Sequence, residues 1–449
     1  MSVTFSIGAD LFPLLAGVLA AVTCGLLGNF LVLRRLSLMG DAISHSVLPG
    51  LVIAFLVTAT RGPVAMFVGA AAAGVATVVL VEVVKKLGRV ESGAAMGVVF
   101  SVLFALGVLL IERAAVRHVD LDADCVLHGQ LEHLAWYGAP ASTAGLWDAA
   151  TIDAVPRQVW VLLIACALAA AFVTALFKEL RLAAFDPGLS TALGFNATAL
   201  HYALMIFVAG ATVASFEAVG SILVIAMLVC PAATARLLTD RLRPQILVSV
   251  GAAIGAAVLG YAGAVLVPAA FGKEAVNAAG SMTVAAGLLL AVAALASPSH
   301  GVVARWIRQR RLARQMHREH LLATLYRLRE RDEASASAER IEAVARGAAA
   351  PGVVRAERLA GRVRRDAGGD LSLTASGRDA AAEIVARHRL WESYLVDQAG
   401  LAPDHVHAPA EQLEHLPMRP PRRAGETDPH GRPIPTTDGA SGEHDRADR

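Results

Sequence analysis

The sequence predicts an all-α polytopic membrane protein with about nine transmembrane helices, followed by a mostly α-helical cytoplasmic domain. Of its 449 residues, 55% are apolar and 17% are charged, whereas a soluble protein has about 25% charged residues. Long apolar runs fill the chain up to Ser297, and Arg, Glu, Asp and His dominate from His300 onward. This shift in composition indicates a membrane domain in residues 1–298 and a soluble part behind it.

Nine segments are apolar enough to cross a bilayer, which takes about 20 residues in a helix. They are residues 11–33, 42–60, 64–84, 94–113, 158–178, 197–214, 216–237, 246–268 and 278–296. Almost no polar linker separates the sixth from the seventh, around residues 215–217.

Basic residues follow every odd-numbered span, and the loops after the even-numbered spans are acidic or nearly neutral. Basic loops stay in the cytoplasm. The loops are marked by Arg34 and Arg35, by Lys85, Lys86 and Arg89, by Lys178 and Arg181, by Arg236, Arg241 and Arg243, and by the run RWIRQRRLAR. We therefore expect a multi-pass protein of the cytoplasmic (inner) cell membrane, with its N-terminus outside and its C-terminus in the cytoplasm.

Two ionisable residues lie at the start of the second span, in the segment DAISHSVLPG. Asp41 and His45 are four residues apart and share one face of a helix. A carboxylate and an imidazole together can bind a divalent transition metal, and ionisable groups within a membrane helix usually line a pathway. In the alternative interpretation, Asp41 caps the helix and His45 packs against a neighbouring helix.

The longer segment GNFLVLRRLSLMGDAISHSVLPG resembles the second-helix signature of the ABC-type permeases for manganese, zinc and iron. Residues 185–195 (FDPGLSTALGF) and 219–242 resemble the coupling segment and a late span of that family, and the resemblance covers about residues 10–297. It implies that Asp41 and His45 are the metal ligands of a transport pathway. It also implies ABC ATPase subunits, an extracytoplasmic metal-binding protein and a second permease copy, as a homodimer or a pair.

The coupling segment has the pattern of a short amphipathic helix. Asp186 before Pro187 is a good helix start, and Leu189 and Leu193 add apolar side chains before Gly194. Such a helix can dock into a groove of an ATPase subunit, and an ordinary surface helix is the alternative. The sequence contains no G-x-x-x-x-G-K-[ST] segment, so we expect no ATP site in this chain and ATP hydrolysis by a separate subunit. The chain itself is then a transporter subunit and not an enzyme.

Histidine and glutamate recur near the end of the soluble part. His388 and Glu392 are four residues apart in a helical pattern, and a second group contains His407, Glu411, Glu414 and His415. Six nitrogen and oxygen ligands in two short segments suit one or two divalent ions. A charged surface helix could produce one such pair, but two groups are harder to explain in that way.

Residues 371–415 resemble the metal-binding and dimerisation helices of the diphtheria toxin repressor family, which senses iron or manganese. The resemblance assigns His388, Glu392 and His407 to an ancillary site, and Glu411, Glu414 and His415 to a primary site. His320 falls on a primary-site ligand position of the family's first helix, but Ala323 replaces a glutamate ligand there. Glutamate at position 411 is typical of manganese-sensing members, so manganese is the expected metal as substrate and sensor ligand, with zinc or iron as alternatives.

The same resemblance divides the soluble part into three regions. Residues 299–370 are a linker helix and a degenerate winged-helix region, residues 371–418 are metal-binding and dimerisation helices, and residues 419–449 are a disordered tail. An Ala- and Gly-rich middle makes a poor recognition helix, so DNA is not an expected partner.

Three functions are compatible with these sequence features. The first is an ABC importer permease for a divalent metal whose fused domain senses cytoplasmic metal and inhibits transport. The alternatives are a membrane-tethered metal-dependent transcriptional regulator and an ion-coupled secondary carrier. The poor recognition helix argues against the regulator, and the coupling segment argues against the carrier.

Overall fold

A computed structural model describes residues 7–58, 62–115, 131–134, 136, 154–415 and 427–435. It divides into an N-terminal unit, Met1–Arg305, and a C-terminal unit, Trp306–Arg449. The helices of the N-terminal unit are α1 (Ile7–Leu33), α2 (Met39–Thr58), α3 (Pro63–Gly88), α4 (Ser92–Ala115), α5 (Arg157–Ala175), α6 (Phe177–Phe185), α7 (Pro187–Ala192), α8 (Ala197–Leu238), α9 (Leu242–Ala270) and α10 (Ala278–Ala296).

Eight helices in the described part of the chain are long and apolar enough to cross a membrane. They are α1 to α5 and α8 to α10. The predicted class, a polytopic all-α membrane protein, is therefore confirmed. The count differs from nine because the sixth and seventh predicted spans both lie in α8.

Helix α8 has 42 residues and is interrupted at Gly220, where φ is 76° and ψ is 168°. A straight helix of that length would measure about 63 Å, roughly twice the thickness of the hydrocarbon core. Glycine adopts a positive φ without the steric penalty of a side chain, so the interruption falls at this residue. The predicted boundary near residue 215 thus moves to Gly220, and residues 215–217 are helical.

The core of the N-terminal unit forms around α1, which packs against α5, α8 and α9. Leu27, Phe30 and Leu31 are completely buried on this helix. Gly28 permits the close approach to α8, because a Cβ atom there would lie 1.9 Å from the carbonyl oxygen of Leu228. Helix α2, which carries Asp41 and His45, packs between α3 and α4.

The C-terminal unit is built from helices and one two-stranded sheet. Its elements are α11 (Val302–Arg329), whose first four residues belong to the N-terminal unit, α12 (Ala338–Val344), α13 (Pro351–Leu359), β1 (Val363–Arg365), β2 (Leu371–Leu373), α14 (Ala375–Asp397) and α15 (His407–Leu413). The strands pair antiparallel, with Val363 opposite Leu373. Its core includes Leu321, Ile341 and Val385, from α11, α12 and α14. Helices α12 and α13 and strand β1 lie within residues 299–370, where the sequence predicts a degenerate winged-helix region.

Residues 427–435 are ordered, which differs from the predicted disordered tail. Asp428 is 4% exposed, and its Oδ1 accepts hydrogen bonds from the amides of His430 and Arg432. Arg389 of α14 donates to the carbonyl oxygen of Pro433 and lies 3.7 Å from the Asp428 carboxylate. A buried guanidinium needs such acceptors, so Arg389 retains this part of the tail.

Candidate metal sites

Asp41 and His45 face each other on the first turns of α2. The Nε2 atom of His45 lies 3.3 Å from Oδ1 of Asp41, and the two side chains are 32% and 33% exposed. The start of a helix favours a carboxylate, which agrees with the position of Asp41 in the first turn. The pair is therefore preformed and partly open, with one oxygen and one nitrogen ligand for a cation.

Two aromatic residues of α4 flank His45. The rings of Phe100 and Phe104 lie 5.7 and 5.6 Å from the imidazole, centroid to centroid. The ring of Phe104 meets the imidazole edge-on, at 85°. Packing from two sides restricts the rotamer of His45 and therefore the direction in which its nitrogen points.

A second polar cluster joins three helices of the N-terminal unit, and sequence reasoning did not find it. His201 of α8 lies 3.4 Å from the carboxylate of Glu82 in α3, and its Nδ1 lies 3.1 Å from Arg34, just after α1. Arginine can only donate, so Nδ1 accepts and the proton of His201 is on Nε2. This arrangement favours a structural ion cluster over a metal site.

The coupling segment forms the expected short helix. Asp186 caps α7, since its Oδ1 accepts a hydrogen bond of 2.9 Å from the amide of Leu189. Gly194, with φ at 88°, ends the segment. Leu189 and Leu193 remain 48% and 60% exposed, so they form an apolar surface available to a partner.

His388, Glu392 and His407 form the first candidate metal-binding cluster of the C-terminal unit. The Nε2 atom of His388 lies 3.2 Å from Oε1 of Glu392 and 3.1 Å from Nδ1 of His407, which is 2.8 Å from the same oxygen. His388 and Glu392 are buried and one helical turn apart on α14, whereas His407 starts α15 and is exposed. Helix periodicity brings the first two together, and the docking of α15 adds the third.

In the first cluster, hydrogen bonds between the carboxylate and the imidazoles shift the pKa values of Glu392 and His388. Burial raises the pKa of Glu392, but hydrogen bonds with His388 and His407 outweigh it and lower the pKa to about 2. Burial lowers the pKa of His388, but hydrogen bonds with Glu392 and Glu414 outweigh it, so the pKa is raised. A metal ion at this cluster must therefore compete with a proton on His388.

His320, Glu414 and His415 form the second candidate metal-binding cluster. The Nε2 atoms of the two histidines are 3.3 Å apart, and Oε1 of Glu414 lies 3.7 Å from Nε2 of His415. Burial and the neighbouring His415 lower the pKa of His320, which keeps its imidazole neutral as a ligand requires. Glu411 lies at the edge of this cluster, half exposed, with Oε1 3.7 Å from His320.

Glu319 orients His415 in the second cluster, and sequence reasoning did not identify it. Its Oε2 lies 2.6 Å from Nδ1 of His415, and an ionised carboxylate can only accept a hydrogen bond there, so the Nδ1–H group donates. The lone pair of Nε2 then points towards His320. Such a carboxylate–histidine pair usually fixes the tautomer of a metal ligand. Ala323 is buried and its methyl group supplies no ligand, as expected from the replacement of a glutamate at this position.

Glu414 connects the two clusters. While its Oε1 faces His415, its Oε2 lies 2.6 Å from Nδ1 of His388, and its side chain is 2% exposed. In each cluster the nitrogen and oxygen atoms lie within 4.8 Å of one another, so both donor sets fit a divalent cation. The sequence assigned Glu414 to one site, but the structure gives each of its oxygens to a different cluster.

Residues 11–135 and 148–297 match the ABC 3 transport family, and residues 374–417 match the iron dependent repressor, metal binding and dimerisation domain. The manganese transport system membrane protein MntD of Bacillus subtilis is 40% identical over 294 residues, which are 65% of this chain and 93% of the relative. The zinc transport system membrane protein TroD of Treponema pallidum is 38% identical over 298 residues, which are 66% of this chain and 77% of TroD.

One relative extends the similarity into the C-terminal unit. The manganese transport system membrane protein MntC of Bacillus subtilis is 30% identical over 401 residues, which are 86% of this chain and 84% of MntC. Among solved structures, PsaBC from Streptococcus pneumoniae in complex with Fab has a TM-score of 0.51 and 26% identity, over 67% of this chain and 94% of that chain.

Proposed function

The chain belongs to the ABC 3 transport family, and we propose that it is the membrane-spanning subunit of an ATP-driven importer for a divalent transition metal. The single observation that carries this proposal is the Asp41–His45 pair, preformed at 3.3 Å on a membrane-spanning helix. The carboxylate and the imidazole replace part of the hydration shell of the cation during passage. The Phe100 and Phe104 rings beside His45 restrict its rotamer during this exchange.

Manganese is the expected substrate, with zinc and iron as alternatives. Two of the relatives are manganese transport proteins by name and one is a zinc transport protein. The test is uptake of Mn²⁺, Zn²⁺ and Fe²⁺, each measured separately, in a strain that lacks its own importers of these metals. If this chain and its ATPase transport none of the three above the empty vector, the proposal fails.

The basic loops support an orientation with the C-terminal unit in the cytoplasm. If the N-terminus is outside and the C-terminus is in the cytoplasm, the chain must cross the membrane an odd number of times. The two parts of α8 must then cross the membrane separately, and the interruption at Gly220 permits this. The partners are then an ATPase subunit on the cytoplasmic side, a metal-binding protein on the outer side and a second permease copy. ATP hydrolysis is the task of the ATPase subunit.

We expect the double substitution Leu189→Ser and Leu193→Ser to weaken binding of the ATPase subunit and therefore to reduce metal uptake. An apolar anchor at the centre of an interface contributes about 2 kcal/mol, so losing two should lower the affinity for the ATPase subunit by at least about 100-fold. The measurement is co-purification of the ATPase subunit, together with metal uptake.

The matched control for this prediction is Leu87→Ser, at the end of α3, where the leucine is 82% exposed. It removes an equally apolar side chain outside the coupling segment and should leave both readouts unchanged. If the double variant binds the ATPase subunit and takes up metal normally, the docking surface must lie in another part of the chain.

The C-terminal unit is the metal-sensing part of the protein, and we infer that it limits transport. Both clusters fit a divalent cation, and the proposed orientation exposes them to metal that has already been imported. Metal bound there stabilises one arrangement of the unit by mass action. A contact that depends on this arrangement then inhibits the permease when cytoplasmic metal is abundant.

The membrane-tethered regulator remains a second candidate, because exposed arginines lie within residues 299–370, where the sequence predicts a degenerate winged-helix region. Arg355 and Arg358 are exposed on α13, and Arg364 is exposed on β1. Salt-dependent, metal-dependent binding of the solubilised full chain to DNA that contains its own promoter would support this candidate. Equal binding to unrelated DNA would show only a general electrostatic attraction and would argue against the regulator.

A further inference from the structure

The first part of α11, residues 302–315, is exposed around nearly its whole circumference. Within this stretch, only Ala304 is partly covered. The second part of the same helix is different, because Leu321, Leu325 and Leu328 are buried in the core of the C-terminal unit. The exposed part is therefore not required for that core, and its composition needs another explanation.

Large apolar side chains are exposed in the first two turns of this helix. Val302, Val303, Trp306 and Ile307 lie within about 140° of one another at 100° per residue, and they are 48%, 48%, 50% and 39% exposed. Two arginines of the following turns, Arg310 and Arg314, fall in the same arc. A tryptophan with aliphatic neighbours at the end of a membrane span is typical of the boundary between headgroups and acyl chains.

The same stretch carries a concentrated positive charge. Its arginines are Arg305, Arg308, Arg310, Arg311 and Arg314, and the sequence has no Asp or Glu between Glu274 and Glu319. Arg310 is stacked over the Trp306 ring, with Cζ 3.6 Å from the ring centroid. Arg310 and Trp306 thus form a cation–π pair within this basic stretch.

The position of the stretch limits what it can reach. Helix α10 ends at Ala296 and α11 begins at Val302, and the connection between them spans at most about 20 Å. The start of α11 therefore lies within about 20 Å of the end of the last predicted span. The two family matches end at residue 297 and begin again at residue 374, so neither covers this stretch.

We propose that residues 302–314 bind the anionic lipid headgroups of the cytoplasmic leaflet through their arginines, with Trp306 at the boundary between headgroups and acyl chains. Clusters of basic residues directly behind a membrane span are attracted to such headgroups. Charge complementarity and the short connection favour lipid over an ATPase subunit or a second copy. The proposal rests on the cytoplasmic orientation in the proposed function.

The test is hydrogen–deuterium exchange of the wild-type full chain in nanodiscs of two compositions. One contains phosphatidylcholine alone, and the other contains phosphatidylcholine mixed with phosphatidylglycerol. We expect amides 302–315 to exchange severalfold more slowly in the mixed discs, and high salt to remove the difference, because salt screens the attraction. Equal exchange in the two kinds of disc overturns the proposal.

Two variants separate charge from structure. Replacing the five arginines of the stretch by glutamine should abolish the dependence on phosphatidylglycerol, whereas replacing them by lysine should retain most of it. Exchange in α8 and α14 reports whether each variant is folded, and the wild-type comparison needs no substitution. Slowing that depends on an added ATPase subunit or on protein concentration, rather than on phosphatidylglycerol, would also overturn the proposal. Metal uptake by wild-type proteoliposomes tests the proposed function separately.

Discussion

Replacing either Asp41 or His45 by alanine is expected to reduce metal uptake to background while the protein still inserts and assembles. Loss of an outer-shell partner of a metal ligand costs about 10–100-fold, and loss of a direct ligand should cost more. The side chains are about one-third exposed, so their removal creates little cavity in the core. The measurement is initial uptake of Mn²⁺, with the amount of membrane-inserted protein as reference.

The chain offers a matched control for this prediction. Asp240 and His300 form another carboxylate–imidazole pair in the N-terminal unit, at 3.0 Å, with side chains 61% and 46% exposed. Alanine at both positions removes the same chemistry outside α2 and should leave uptake near the wild-type value. Asp41→Asn tests the charge, because it keeps the size of the side chain. Uptake at the wild-type rate in Asp41→Ala would contradict the pathway role of Asp41 and would favour the alternative that it only caps the helix.

Replacing His407 or His415 by alanine is expected to raise the steady-state metal content of cells without changing the initial rate of uptake. Each variant removes one imidazole from one cluster, and neither changes the pathway pair. At free metal about 100-fold above the dissociation constant, binding contributes about 2.7 kcal/mol to the metal-bound arrangement. Without it, the inhibitory contact loses up to about 100-fold in population, and import continues for longer.

Elemental analysis of washed cells over time checks this result, and metal titration of the purified chain shows which cluster is lost. His405→Ala is the control, because His405 is 75% exposed and paired with Asp404 rather than with either cluster. If the cluster variants lose metal binding but stop accumulating metal at the wild-type level, the C-terminal unit does not limit transport. The regulator would then become the leading function for this unit.

Local sequence patterns determined the parts of the structure that depend on neighbours along the chain. Apolar runs specify the membrane helices, because a bilayer sets their length and composition. The pairs Asp41–His45 and His388–Glu392 follow from helix periodicity, which brings residues four apart to one face. The helix start at Asp186 follows from the capping preference of aspartate before proline.

Contacts between distant segments were decided only by tertiary packing. Glu319 and His415 are 96 residues apart, and no local pattern marks Glu319 as the partner of a ligand. The same holds for His201, which meets Arg34 across 167 residues. The double role of Glu414 depends on where α15 docks against α11 and α14. The periodicity of a helix specifies which residues share a face, but the burial of side chains between helices decides which faces meet.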